Sequence, residues 1–165
     1  MDNIILVDEN DNQIGSGEKL QVHKDGKLHR AFSIYVFNSK GELMMQKRHP
    51  QKYHSGGLWA NTCCSHPRLG ESLDHAVHRR LKEEMGFDCE LTEKTQLIYK
   101  IKVNNGLIEH EYLHVWVGRY DKDPVINKDE ATDFKWISVD DLRKELAENG
   151  DAYSYWPKVT LDKII

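Results

Sequence analysis

Short stretches of period-two hydrophobicity alternate along the chain with a few of helical period, and this rhythm predicts the elements. Strands are expected at Ile4 to Asp8, Ala31 to Phe37 and Glu42 to Arg48. The last two read as a hairpin through Asn38-Ser39-Lys40-Gly41, and residues 9–15 read as a turn after the first strand. Longer strands are expected at Glu90 to Lys102 and Ile108 to Tyr120, joined by a turn at Asn104-Asn105-Gly106, with another near Phe134 to Ile137. Helical spacing covers Ser72 to Met85, capped by Ser72 and stopped by Gly86, then Val139 to Asn149, then a last segment after Tyr155. No repeat, low-complexity tract or linker breaks this order. Mixed strands with few helices imply an α/β (α+β) class, an α/β/α layered domain with a mixed sheet. The 165 residues fit one domain spanning 1–165, long enough to bury about two-thirds of the surface of the unfolded chain.

One helix breaks its own pattern. At about 100° per residue, Leu73, Ala76, Val77 and Leu81 define an apolar face, and Arg80 and Glu84 fall inside it. His75, His78, Arg79 and Lys82 lie on the opposite side as ordinary solvated charges. An unpaired buried charge costs several kcal/mol, so Arg80 and Glu84 are expected to pair with each other, or to face an anion and a metal.

The strand from Ile108 to Tyr120 holds a second anomaly. Alternation places Glu109 and Glu111 on the same face as Leu113, Val115 and Val117. Two carboxylates about 6–7 Å apart at the end of a buried face repel unless a cation lies between them. Imidazole and carboxylate together suit Mn²⁺, Zn²⁺ or Mg²⁺, and nine histidines are many for this length. Taken singly, each histidine reads as a surface or satisfied core group.

Composition narrows the function. A formal net charge of −4 gives no global basic field, so neither nucleic acid nor an anionic membrane is an expected partner, and any anion site must be local. The amino terminus has no basic leader and only a four-residue apolar run, so a cytoplasmic protein is expected. Three cysteines, two of them adjacent, argue for reduced thiols. In an extended reading of Trp59 to His66, Thr62, Cys64 and His66 share a side and Cys63 points away. A buried cysteine is usually a small hydrophobe, the expectation for Cys63 and Cys89.

Glu71, Arg79, Leu81, Glu83, Glu84 and Gly86 together resemble the Nudix box, a helix with metal-binding carboxylates for pyrophosphate substrates. Ser65 stands where the box has its first glycine, and Arg80 stands where hydrolases carry a glutamate. That cation in place of a metal-binding anion puts ordinary pyrophosphate hydrolysis in doubt. With NTCCSHP at residues 61–67, IEHEY at 108–112 and AYSYWP at 152–157, nearly the whole chain is similar to the type 1 isopentenyl diphosphate isomerase family.

The resemblance implies a Nudix fold and an isomerase of isoprenoid synthesis that moves a double bond by adding one proton and removing another. It implies Cys64 and Glu111 as the opposed proton-transfer pair, Tyr99 as the hydroxyl assisting Glu111, and Trp156 as the aromatic facing the hydrocarbon. It implies His23, His29, His66, Glu109 and Glu111 as ligands of a divalent ion, Mn²⁺, Zn²⁺ or Mg²⁺, with His23 and His29 flanking a loop turn at residues 24–28. Lys19, Arg48, Lys52 and Arg80 match diphosphate-binding positions, and Glu84 matches the ligand of a second, substrate-bridging Mg²⁺. His49, His54, His75, His78, His110 and His114 keep the surface or core reading. A small isoprenoid diphosphate is the expected partner, with no obligate protein partner. The alternatives are a Nudix hydrolase of a nucleoside diphosphate derivative and a catalytically silent binding module. Arg80 and residues 61–67 argue against the first; Cys64, Tyr99 and Glu111 argue against the second.

Overall fold

A computed structural model describes residues 3–52 and 54–165. The strands are β1 (Asn3–Val7), β2 (Gln13–Glu18), β3 (His29–Phe37), β4 (Glu42–Arg48), β5 (Trp59–Ala60), β6 (Cys63–Ser65), β7 (Leu91–Lys102), β8 (Ile108–Arg119) and β9 (Ala131–Ser138). The helices are α1 (Lys19–Asp25), α2 (Leu73–Met85), α3 (Val139–Glu148) and α4 (Tyr155–Ile164). All nine strands join one mixed sheet.

Strand β3 is its axis. It runs parallel to β8 from His29↔Glu111 to Phe37↔Arg119. Its other edge is shared in turn by β1 at Leu6↔His29, β6 at Ser33↔Cys64, and β4 at Phe37↔Leu43. The expected hairpin of β3 and β4 therefore pairs only at its closed end. The strands then splay, β6 inserts beside β3, and β4 takes β9 as its long partner from Glu42↔Ser138 to Arg48↔Ala131.

Period-two alternation builds the three layers. Phe32, Ile34, Val36 and Met44 pack with Ala76, Val77, Leu81 and Met85 of α2. Ala31, Tyr35, Leu43 and Met45 pack on the opposite face with Leu142 of α3 and with Trp156 and Leu161 of α4. Truncating a fully buried residue such as Leu81 to alanine is expected to cost about 2–5 kcal/mol. The limits of α2 follow its sequence signals. Ser72 accepts a hydrogen bond from the His75 amide, and Gly86 closes the helix at φ 72°. A Cβ at Gly86 would lie 2.3 Å from the carbonyl oxygen of Val125.

Two elements escape the hydrophobic pattern. Strand β2 is glycine-rich with no buried residue, and pairing with β1 holds it from Asn3↔Glu18 onward. Helix α1 is only two turns long, capped by the Glu18 carboxylate on the Gln21 amide and ended by Gly26 at φ 70°. His23 therefore sits in the last turn of a helix, not in a loop. No helix among the described residues is long and apolar enough to cross a membrane.

Candidate active site

Strand register assembles the centre. The β3/β8 ladder sets His29 beside Glu111, and the β7/β8 ladder sets Tyr99 on the other side of Glu111. A row of imidazole, carboxylate and phenol thus crosses three strands at one level. The Tyr99 hydroxyl donates to Glu111 Oε1 at 2.6 Å and lies 3.4 Å from Glu109 Oε2. Burial and the charges of both glutamates push the Tyr99 hydroxyl well above its usual range, so it remains a donor.

Helix α1 brings His23 to this row, and β6 brings His66. His23 Nε2 lies 3.2 Å from Glu109 Oε1; His29 Nε2 and His66 Nε2 lie 3.5 and 3.4 Å from Glu111 Oε2. The far ring nitrogens of His23 and His29 face the backbone oxygens of Lys19 and Lys27, which orients each Nε2 inward. The ligand atoms of His23, His29, His66 and Glu111 lie within 4.8 Å of one another. Among the described residues, buried His29 Nε2 and His66 Nε2 have no hydrogen-bond partner. Buried polar atoms are normally paired, so this convergence fits a divalent ion as the shared partner. Burial alone works against ionising Glu109, but bonds to His23 and His54 outweigh it and hold the carboxyl well below its usual range. Burial drives the His66 imidazole down to about 3, which leaves it neutral, the form that ligates a metal.

His54 is the residue that sequence reading missed. It is buried, with Nε2 2.8 Å from Glu109 Oε1, not a surface or ordinary core group. The signal available lay two residues on: a Cβ at Gly56 would sit 2.5 Å from the Pro50 carbonyl oxygen. The loop between β4 and β5 must therefore fold tightly back on itself.

The adjacent cysteines separate as expected. Cys63 packs on the α2 face, where its thiol donates to Glu84 Oε2 at 3.4 Å, so it is more than a small hydrophobe. Cys64 lines an inner cavity of about 40 Å³ with His54, His66, Glu109, Glu111, Arg48 and Trp156. Its sulfur lies 3.3 Å from Ser33 Oγ and donates to Asn61 Oδ1 at 3.2 Å. Desolvation pushes the thiol up to about 12, so it rests protonated. Thr62 does not share this side. Its hydroxyl donates to the Met44 carbonyl and accepts from the Val36 amide, stitching β4 to β3.

Trp156 is fixed at the start of α4. The Ser154 amide donates to the Trp59 carbonyl, and Thr160, itself paired with the Tyr35 hydroxyl, donates to the Trp156 carbonyl. The Arg48 guanidinium lies 4.9 Å from the Trp156 ring centroid.

The inner cavity adjoins an outer cleft of about 410 Å³; Lys19, Lys52 and Arg80 line both. Glu130, unremarked in the sequence, pairs there with Lys52 and lies 3.3 Å from Arg80. Arg79 also faces this cleft. It is not a solvated charge, because Glu71 holds it through two bonds of 2.6 and 2.8 Å. Glu84 stands apart from the histidine cluster. One oxygen accepts from Gln46 at 3.0 Å, the other from Arg80 at 2.7 Å and from Cys63. The remaining histidines keep the surface or core reading; His114, for example, is buried between Asp11 and Glu93.

Comparison with known proteins gives the family of the chain. Residues 27–156 match the NUDIX domain family. A Photorhabdus laumondii protein named isopentenyl-diphosphate Delta-isomerase 2 is 54% identical over 155 residues, covering 94% of this chain and 88% of that protein. One of the same name from Aromatoleum aromaticum is 50% identical over 164 residues, covering 99% and 87%. Among solved structures, DR0079 from Deinococcus radiodurans shares the fold with a TM-score of 0.82 at 16% identity, covering 99% of this chain and all of that one. The chain belongs to the Nudix family and, within it, to the isopentenyl-diphosphate Delta-isomerases.

Proposed function

We infer that the protein interconverts isopentenyl diphosphate and dimethylallyl diphosphate by protonating one carbon of the allylic unit and deprotonating another. The observation that carries this reading is the shared inner cavity, where a protonated thiol, two carboxylates and an indole meet beside a cationic cleft. A cavity of about 40 Å³ admits a few water-sized groups, each needing about 10–15 Å³. Restricted water suits a carbocation-like intermediate that bulk solvent would trap.

Cys64 and Glu111 act as the proton-transfer pair, and the Tyr99 hydroxyl holds Glu111 in place. The Trp156 ring offers its electron-rich face to the developing positive charge, an interaction of about 2 kcal/mol when desolvated. Lys19, Arg48, Lys52 and Arg80 hold the diphosphate at the junction of cavity and cleft. His23, His29, His66, Glu109 and Glu111 would hold a divalent ion, Mn²⁺, Zn²⁺ or Mg²⁺, which supplies a fixed positive charge beside the reacting carboxylate. Glu84 would take part in holding a second ion, Mg²⁺, which would offset diphosphate charge, while Arg80 turns its planar fork to phosphate oxygens. The chemistry needs no nucleic acid, membrane or protein partner, and the net charge of −4 fits a cytoplasmic enzyme of small metabolites.

Incubation with isopentenyl diphosphate and Mg²⁺ in deuterated water tests the reading. Dimethylallyl product carrying deuterium is expected. Release of phosphate with no isomer formed would assign hydrolysis instead.

A further inference from the structure

The loop between β4 and β5 delivers His54 to the same carboxylate oxygen that His23 approaches from α1. The ligand atoms of His23, His54 and Glu109 lie within 4.8 Å of one another, and all three residues are buried. The His23 and His54 rings are near parallel at 29°, with centroids 5.5 Å apart.

Ligand bonds of about 2.1 Å put neighbouring donors of an octahedral ion about 3 Å apart and opposite donors about 4.2 Å apart. The imidazole-to-carboxylate separations here, 2.8, 3.2, 3.4 and 3.5 Å, cluster about the first of these distances. His54 shows the shortest of the four. His23 belongs to two such sets of ligand atoms, one with His29, His66 and Glu111 and one with His54 and Glu109; counting one atom each, the six residues offer the donors of an octahedron.

We propose that His54 is a sixth protein ligand of the divalent ion, making a centre of four imidazoles and two carboxylates. Four nitrogen donors weight the centre toward Zn²⁺, Co²⁺ and Mn²⁺ over Mg²⁺, which favours oxygen ligands and retained water. The backbone carbonyl of His54 also accepts from Arg48 Nη2 at 3.2 Å, and the His54 ring lies 5.7 Å from the Trp156 ring. Ligation by His54 thereby ties the ion to the loop that carries Lys52 and to Arg48 at the end of β4.

This inference rests on the metal-centre reading above, and the test separates the two. Wild-type, His54→Ala and His54→Gln proteins are freed of metal and titrated with Co²⁺, reading affinity and the visible d–d bands. Glutamine can still donate a hydrogen bond to Glu109 but replaces imidazole poorly as a ligand. Wild type is expected to take up Co²⁺ at the centre, and both variants to bind it at least tenfold more weakly with shifted bands. A His54→Gln variant with wild-type affinity or unshifted bands would make His54 only a hydrogen-bond partner and overturn the inference while leaving the centre intact. Wild-type protein that binds no Co²⁺ would overturn both.

Discussion

Two buried polar clusters flank β3, one on each side of the sheet, and they are completed differently. On the α2 side both Glu84 oxygens are engaged, by Gln46, Arg80 and Cys63. On the α4 side, histidines converge on Glu109 and Glu111, while buried His29 Nε2 and His66 Nε2 lack hydrogen bonds among the described residues. A carboxylate completed by protein donors sets the position of Arg80. The cluster with fewer internal bonds is the one proposed to hold the histidine-ligated ion. The adjacent cysteines make the same contrast at one-residue resolution, Cys63 belonging to the first cluster and Cys64 to the cavity beside the second.

The widest gap between the two sides is expected in catalysis. Cys64→Ala and Glu111→Gln should each lower turnover of isopentenyl diphosphate by about 10²–10⁴-fold, the usual contribution of a general acid or base. Circular dichroism and diphosphate binding should stay near wild type, whereas Cys63→Ala should keep most turnover. Near-normal activity in either of the first two variants would erase the distinction between the thiols.

Metal removal should come next. Chelation is expected to abolish turnover and lower the melting temperature, because an ion binding only the folded state stabilises it, by about 2.7 kcal/mol at a free concentration of 100 Kd. Glu84→Gln should leave the ion-dependent rise in melting temperature intact. Loss of that rise in the Glu84 variant would join the two clusters into one.

Acid should act on the histidine side. His66 titrates near 3 in the folded protein against an ordinary 6.5, because burial disfavours its charged form. Between those values the unfolded chain binds a proton that the folded chain does not. This contribution is therefore fully present above 6.5 and is lost as the pH falls toward 3. Urea titrations of chelated protein should show that slope, and His66→Gln should flatten it. The smallest effect is expected from Cys63→Ala on stability, about 1 kcal/mol for one lost buried hydrogen bond, measured by urea denaturation.

Much of the fold was legible where hydrophobic period and punctuation agreed. Helix α2 carried its cap, its apolar face and its closing glycine in the sequence, and β7 and β8 appeared within a residue or two of their limits. Strand β2 and helix α1 were not legible. The first is an exposed edge strand held by backbone pairing, and the second is too short to show a period. The β3–β4 hairpin was half right, because the insertion of β6 is a long-range event that no local turn records.

Within the site, the anomalous charges Arg80, Glu84, Glu109 and Glu111 could be found from periodicity alone. Cys64, Tyr99, Trp156, His23, His29 and His66 were singled out by resemblance. The sheet then supplied a physical reason for several of these, setting Tyr99 and His29 on either side of Glu111. His54 escaped both routes, since its approach to Glu109 depends on the path of an irregular loop.

The transverse row of His29, Glu111 and Tyr99 leaves little freedom to retune the centre from within the sheet. Each member is pinned by ladder bonds, and sliding one strand by a residue would turn every side chain on it to the opposite face. Variation in ion preference or substrate length is therefore expected to accumulate at loop positions such as Lys52 and His54, which line the cavity from outside the ladder and form one jaw of a vice whose other jaw is the sheet itself.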